Sequence, residues 1–261
     1  MNFIAVTLPA PSAIAVSAIA PHGRLRASIN TGNPILAAQG DGADAIGFAA
    51  HGVSVDLAVA LADWLSLPLD LVVVDSAGKS VANVDEGLAD FGFFALDPAR
   101  AATLKFTSPY VLIAGAYLVR YDSPLQSAAE VDEAGTTVCV GRGSAYDLFL
   151  SRQLRRARIE RAATSPTVVE TLIAQGWDVA AGVRQQLEFD LVRHSGRLRL
   201  LPENFMTIEQ AMATHRDRGT DVAALLQSFI EVQKDNSFVA LALRRHGIEG
   251  AVVAPPFQRD R

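Results

Sequence analysis

Apolar positions along this chain follow two rhythms in alternation. Short apolar-rich runs mark strands, and stretches with apolar residues three and four apart mark amphipathic helices. Arg24–Ile29 (RLRASI) reads as a strand, followed by the turn residues Thr31-Gly32-Asn33-Pro34 and a polar, Gly-rich loop at Gln39–Asp44. Asp56 is placed to cap a helix running to about Leu65, with Leu57, Ala60, Leu61 and Trp64 at helical spacing and Pro68 beyond its end. Leu69–Val74 (LDLVVV) is a near-continuous apolar run, as expected of a strand buried on both faces. A helix over about Ser80–Leu88 and a short strand, Asp90–Ala95 (DFGFFA), come next. This order predicts βαβ crossovers and a parallel sheet.

Tyr110–Arg120 (YVLIAGAYLVR) is long enough to leave one sheet and enter another. A second α/β series follows, with a strand at Thr137–Val140, helices over about Ser144–Arg156 and Thr167–Gln175, and a strand at Trp177–Ala181. Met206–Thr214 suits a second crossing strand, and two amphipathic helices, about Val222–Gln233 and Ser237–Arg245, precede a Pro-containing tail. The expected organisation is two α/β lobes with a cleft between them. One lobe is discontinuous, 24–115 plus 210–250; the other is 116–209, and 1–23 form an N-terminal arm.

Composition narrows the function. With 50% hydrophobic and 20% charged residues among 261 and a net charge of −5, the chain is neither disordered nor a general nucleic-acid binder. Its single cysteine, Cys139, excludes an intramolecular disulfide and sits in an apolar strand as an inert buried thiol. Five scattered histidines show no metal-ligand spacing, so no metal or cofactor is expected. Gly141-Arg142-Gly143 is neither a dinucleotide fingerprint nor a P-loop, and no G-x-S-x-G elbow occurs. Ser151–Arg161 carries five arginines and reads as a solvated helix face or a dock for an acidic partner. No run is long and apolar enough to predict membrane insertion. Residues 3–20 resemble the apolar region of a signal peptide. No Lys or Arg precedes Arg24, however, and Pro9 and Pro11 interrupt the run, so a packed arm is expected.

Three stretches together, Gly52–Leu57 with its helix, Asp90 through Arg100, and Phe106-Thr107-Ser108-Pro109-Tyr110, resemble the family 3 extracellular solute-binding proteins of ABC importers. The resemblance runs from about Arg24 to Gly247. It implies a two-lobed, type II periplasmic-binding-protein-like fold: two mixed sheets flanked by helices and joined by two crossing strands. Closure is expected by hinge motion near Ala114–Tyr117 and Glu209–Ala211, on a small ligand and without chemistry. It further implies a monomer, an ABC permease as partner and a periplasmic location, although the missing basic residues at the N-terminus leave the cytoplasm open.

The resemblance assigns Arg100 to the ligand's carboxylate, a role suited to a planar guanidinium that keeps its charge. Ala95 and Asp97 lie in the same segment, Asp97 being either a ligand contact or the cap of a helix starting at Pro98. Asn30 and Asn33 are candidates for ligand hydrogen bonds or for turn formation; Asp75 and Ser76 either line the cleft or cap the next helix. Gly143 and Ser144, at a helix start, are second carboxylate contacts, and Arg142 adds charge. Where amino-acid receptors carry an Asp for the ligand's ammonium, this chain has Val183, with Arg184 next, which points to a ligand richer in carboxylate than in amine. The alternative is an enzyme resembling cyclohexadienyl dehydratase, acting on a prephenate-like carboxylate with Asp97 as the acid.

Overall fold

The computed structural model describes residues 8, 10–40 and 49–258; the expected arm residues 1–7 and Pro9, and the loop positions 41–44, lie outside them. In chain order the elements are α1 (Ala13–Ile19), β1 (Leu25–Asn30), β2 (Ala38–Gln39), β3 (Ala50–His51), α2 (Val53–Leu65), β4 (Leu69–Val74), α3 (Ala77–Asp85) and β5 (Phe91–Ala95). There follow β6 (Leu104–Arg120), β7 (Thr137–Gly141), α4 (Ala145–Gln153), β8 (Arg158–Ala162), α5 (Val168–Gln175), β9 (Val179–Val183) and α6 (Arg184–Arg193). The chain ends with β10 (Leu198–His215), α7 (Gly219–Asp235), α8 (Phe238–Arg245) and β11 (Val252–Val253).

Two long strands organise the rest. β6 and β10 run antiparallel from the Leu198/Arg120 pair to the His215/Leu104 pair. Near one end of this ribbon β10 pairs with β5, and the parallel strands β1 and β4 continue outward. Towards the other end β6 pairs with β9, followed by the parallel strands β7 and β8. The two mixed sheets expected from the resemblance are thus joined into one nine-stranded sheet with β6 and β10 as its spine, hydrogen-bonded from β4 to β8 and with β11 added on β6. Register shifts between Leu200 and Met206 and between Gln210 and Ala213 interrupt the ribbon; such irregularities bend and twist an antiparallel pair.

Helices cover this sheet with their apolar stripes. α2 buries Val53, Leu57, Leu61 and Leu65, and α7 buries Val222, Leu226, Phe229 and Ile230. Each such side chain contributes about 1.5–3 kcal/mol of transfer free energy. Cys139 packs in a separate cluster with Val168, Leu172 and Ala180, and burial pushes its thiol up to about 11.

Several boundaries differ from the sequence expectation. α2 starts at Val53 behind Gly52, so Asp56 is a first-turn residue rather than the cap, and it pairs with Arg245 and His246 at 3.0 Å each. α3 begins three residues before Ser80 and ends at Asp85. β4 is an edge strand partnered only by β1, and all six of its residues are part-exposed rather than buried on both faces. The basic stretch 151–161 is divided: α4 stops at Gln153, and Arg158–Ala162 form the edge strand β8, where charged side chains discourage further pairing. The N-terminal arm contains α1, which buries Ala15 and Ile19 and packs on α7; Arg218 caps its end by donating to the Ala18 and Ile19 carbonyls at 2.8 and 3.2 Å.

Candidate functional site

The carboxyl ends of strands from both parallel sets converge on one cavity of about 50 Å³. Asn30, Gly32 and Asn33 reach it from the end of β1, and Phe93, Phe94 and Ala95 from β5. Ser144, Ala145 and Tyr146 reach it from the start of α4, Val183, Gln186 and Leu187 from the β9–α6 junction, and Ile208 and Gln210 from β10. Arg100 lies among them. Strand carboxyl ends are where open α/β sheets leave room for ligands, because the connecting loops part there.

Arg100 is 6% exposed and, among the described residues, has no carboxylate bound to it. Its Nη1 donates to the Ala95 carbonyl and its Nη2 to the Gly143 carbonyl, both at 3.0 Å. The guanidinium thus ties β5 to the start of α4 while leaving three of its five N–H donors uncommitted. Burial pushes its pKa down to about 10, with Asp97 pulling the other way, so the group remains cationic near neutral pH. A buried cation hydrogen-bonded only to carbonyls, with its nearest carboxylate already paired elsewhere, is costly, and an anion entering the cavity relieves that cost.

The α4 start is shaped by its own sequence. Gly143 takes a left-handed φ of +68° that a side chain would strain. Its N–H donates to Asp147 Oδ2 at 2.9 Å, and Ser144 Oγ caps the helix by accepting from the Asp147 N–H at 3.0 Å. The first-turn amides of Ala145 and Tyr146 have no carbonyl one turn back to donate to. Burial pushes the Tyr146 hydroxyl up to about 12, so it stays protonated as a hydrogen-bond donor. Across the cavity, Asn30 Oδ1 accepts from the Gly32 N–H at 2.9 Å, closing an Asx turn, and a Cβ at position 32 would run into the Asp75 carbonyl. Among the cavity-lining residues, the amide oxygens Asn33 Oδ1 and Gln210 Oε1 are buried without a donor from the described residues.

The structure brings five of the candidate residues to the cavity wall, namely Asn30, Asn33, Ala95, Arg100 and Ser144, with the Gly143 carbonyl reached through Arg100. It turns the others elsewhere. Asp97 accepts from the Ala99 N–H at 2.8 Å, closing an Asx turn, and pairs with Arg152 at 2.6 Å; in place of a helix starting at Pro98 there is a single 3-10 turn, Arg100–Ala102, that no side chain caps. Asp75 is exposed and paired with Lys79 at 2.8 Å; hydrogen bonding to that ammonium lowers its pKa. Ser76 is the residue before α3, with no side-chain cap bond, and Arg142 is exposed. Arg184 donates to Asn204 Oδ1 at 2.6 Å and lines a second cavity with Ile35, Phe189 and Val192. Ser165, Gln186, Ile208 and Gln210 line the first cavity without any local motif to announce them; only strand register and loop packing bring them there.

No protein-family model matches the chain, and no curated protein matches it by sequence. Solved structures do resemble it. A solute receptor for L-cysteine from Neisseria gonorrhoeae superposes with a TM-score of 0.74 at 20% identity, covering 90% of this chain and 94% of its own. An ABC-transporter binding component from Wolinella succinogenes complexed with lysine gives 0.71 at 18% identity, over 86% and 95% of the two chains. An ancestral amino-acid-binding protein described as a precursor of cyclohexadienyl dehydratase gives 0.71 at 15% identity, over 88% and 98%. At these identities the likeness shows the fold, the two-lobed periplasmic-binding-protein-like arrangement of α/β elements.

Proposed function

We propose that this chain is a solute-binding protein that encloses a small carboxylate-bearing ligand between its lobes. The observation that carries this reading is Arg100, a buried guanidinium on the wall of this cavity with two carbonyl contacts and, among the described residues, no carboxylate hydrogen-bonded to it. The cavity's walls come from both parallel strand sets, so a ligand touching Arg100 and the α4 start is held from both sides. Binding then favours the closed arrangement, since only that arrangement offers both sets of contacts.

In this reading the lobes are 24–115 with 210–250, and 116–209. They rotate about the β6/β10 ribbon near Ala114–Tyr117 and Glu209–Ala211, the latter segment coinciding with a register shift. An ABC-type permease is the natural partner and the periplasm the natural location, by likeness of fold to receptors of that kind. Among the described residues no helix is long and apolar enough to cross a membrane. The dehydratase alternative lacks its acid: Asp97 is ion-paired with Arg152, and among the described residues lining the cavity none is Asp, Glu, His or Lys.

A thermal-shift screen of amino acids, hydroxy acids, dicarboxylates and aromatic acids tests the proposal. The expected result is a stabilising carboxylate whose effect grows with concentration by mass action and whose addition contracts the protein in small-angle scattering. Conversion of prephenate or arogenate, or indifference to every carboxylate, would overturn it.

A further inference from the structure

We infer that the ligand is a 2-hydroxy monocarboxylate with an apolar body and no ammonium group, an inference that rests on the solute-binding reading above. Arg100 is the one charged side chain among the described residues lining the cavity. The neighbouring carboxylates are already neutralised by arginines. Asp97 is bound by Arg152 at 2.6 Å, and Asp147 by Arg161 at 3.0 Å and by the Gly143 N–H at 2.9 Å. The cavity therefore carries one positive charge, which a single carboxylate cancels.

An α-amino acid fits this balance poorly. Its carboxylate would neutralise Arg100, but its ammonium would be buried without an anion, or would have to shed its proton on entry; either costs affinity. A dicarboxylate leaves its second charge unpaired in the same way. A hydroxyl introduces no charge and supplies one donor.

Two residues of the cavity wall, Asn33 and Gln210, each carry an unmet acceptor. Asn33 Oδ1 and Gln210 Oε1 are buried and take no hydrogen bond from the described residues, and Gln210 is 8% exposed. An unmet buried acceptor is costly, so a ligand hydroxyl reaching either oxygen is favoured over a hydrogen at the same place. The remaining wall is apolar, formed by Phe93, Phe94, Val168, Val183, Leu187 and Ile208, which suits a hydrocarbon or aromatic body.

Titration calorimetry on the full chain with matched trios tests this. The probes are lactate, alanine and propionate; 2-hydroxy-4-methylpentanoate, leucine and 4-methylpentanoate; and 3-phenyllactate, phenylalanine and 3-phenylpropionate. The expected result is that in the best-binding trio the hydroxy acid exceeds the amino acid by at least about tenfold, and also exceeds the unsubstituted acid. Gln210→Glu, which places a carboxylate at one orphan acceptor, should reverse the order of hydroxy and amino acid. An amino acid binding as tightly as its hydroxy partner overturns the ligand class and leaves the receptor reading standing. Failure of all nine probes overturns the ligand class; if the wider carboxylate screen is also silent, the receptor reading falls with it.

Discussion

Arg152 Nη2 lies 2.6 Å from Asp97 Oδ2, joining helix α4 to the segment after β5. These two elements belong to strand sets at opposite ends of the β6/β10 ribbon, so the pair links the two sides of the cavity independently of any ligand. Asp97 is 4% exposed at its side chain and Arg152 42%, so the carboxylate is the partner that suffers when the pair is broken.

Arg152→Ala is therefore expected to weaken the closed arrangement. A half-exposed pair is worth about 1 kcal/mol, which lowers apparent ligand affinity by about fivefold if closure precedes tight binding. The check is calorimetry with any ligand found by the thermal-shift screen, beside scattering of the ligand-free variant. The radius of gyration should rise, and unchanged compactness with unchanged affinity would show that the pair is no latch.

Arg100 separates function from stability. Arg100→Met removes a buried cation that makes no ion pair among the described residues and replaces it with a flexible apolar chain. The expected loss of affinity for carboxylates is at least about 100-fold, as for truncating one partner of a buried charge pair. The ligand-free melting temperature should stay level or rise, because the desolvation cost disappears. A melting temperature lowered by more than about 5 °C, about 2 kcal/mol for a chain of this size, would make Arg100 chiefly structural.

Asp90 presents the opposite case. It is fully buried, accepts from Arg26 at 2.7 and 3.1 Å and from Arg218 at 2.6 Å, and also takes the Arg26 backbone N–H at 2.8 Å. The hydrogen bond to Asp90 raises the Arg26 pKa, although burial works against it. Arg218 in turn holds the end of α1. Asp90→Ala leaves two guanidinium groups without their anion and is expected to cost about 3–5 kcal/mol, or roughly 10 °C in melting temperature. Differential scanning calorimetry checks it; a change under 2 °C, far below what about 3 kcal/mol implies, would refute the account.

The contrast between Arg100 and Asp90 also marks what the sequence made legible. The alternation of strands and helices was readable because buried faces impose periodicity, and the turn at Thr31–Pro34 because glycine and proline restrict the backbone. α6 escaped because only Leu187 and Asp190 of its ten residues are buried, while Phe189 and Val192 face solvent, so its apolar residues trace no single stripe. β8 escaped because an edge strand bearing Arg158, Glu160 and Arg161 has the composition of a helix surface. Within the cavity, Arg100 is singled out by the family resemblance that Asp90–Arg100 and Phe106–Tyr110 carry. Gln210 was not, because its place depends on β10 pairing with β5 opposite Ala95, and non-local register leaves no local mark. Asp97 was ambiguous for a similar reason: its partner, Arg152, lies 55 residues away.

The last prediction concerns acid. Glu231 on α7 is the hub of a clasp on the C-terminal tail. It accepts from Ser108 Oγ, from Lys234 Nζ at 2.7 Å and from the Phe257 N–H at 3.0 Å, while Lys234 donates to the Pro255 carbonyl at 2.9 Å. Burial works to raise the Glu231 pKa, but Lys234, Ser108 and the Phe257 amide together hold it below its ordinary value of 4.5. A carboxyl depressed on folding adds stability that is complete above its unfolded pKa and is lost as pH falls through the folded one. The clasp is therefore intact at neutral pH and loosens only below the ordinary glutamate range, where a protonated Glu231 no longer attracts Lys234. Hydrogen exchange at the Phe257 amide should stay slow, after correction for the intrinsic rate, down to pH 5 and accelerate below about pH 4. Glu231→Gln should exchange quickly at every pH and cost about 1–3 kcal/mol at neutrality, the range for losing hydrogen bonds to a charged group. Its stability should also fall less steeply with acid than that of the parent. If the two proteins instead lose stability in parallel between pH 5 and pH 3, the acid sensitivity resides elsewhere and the clasp is not held by this charge.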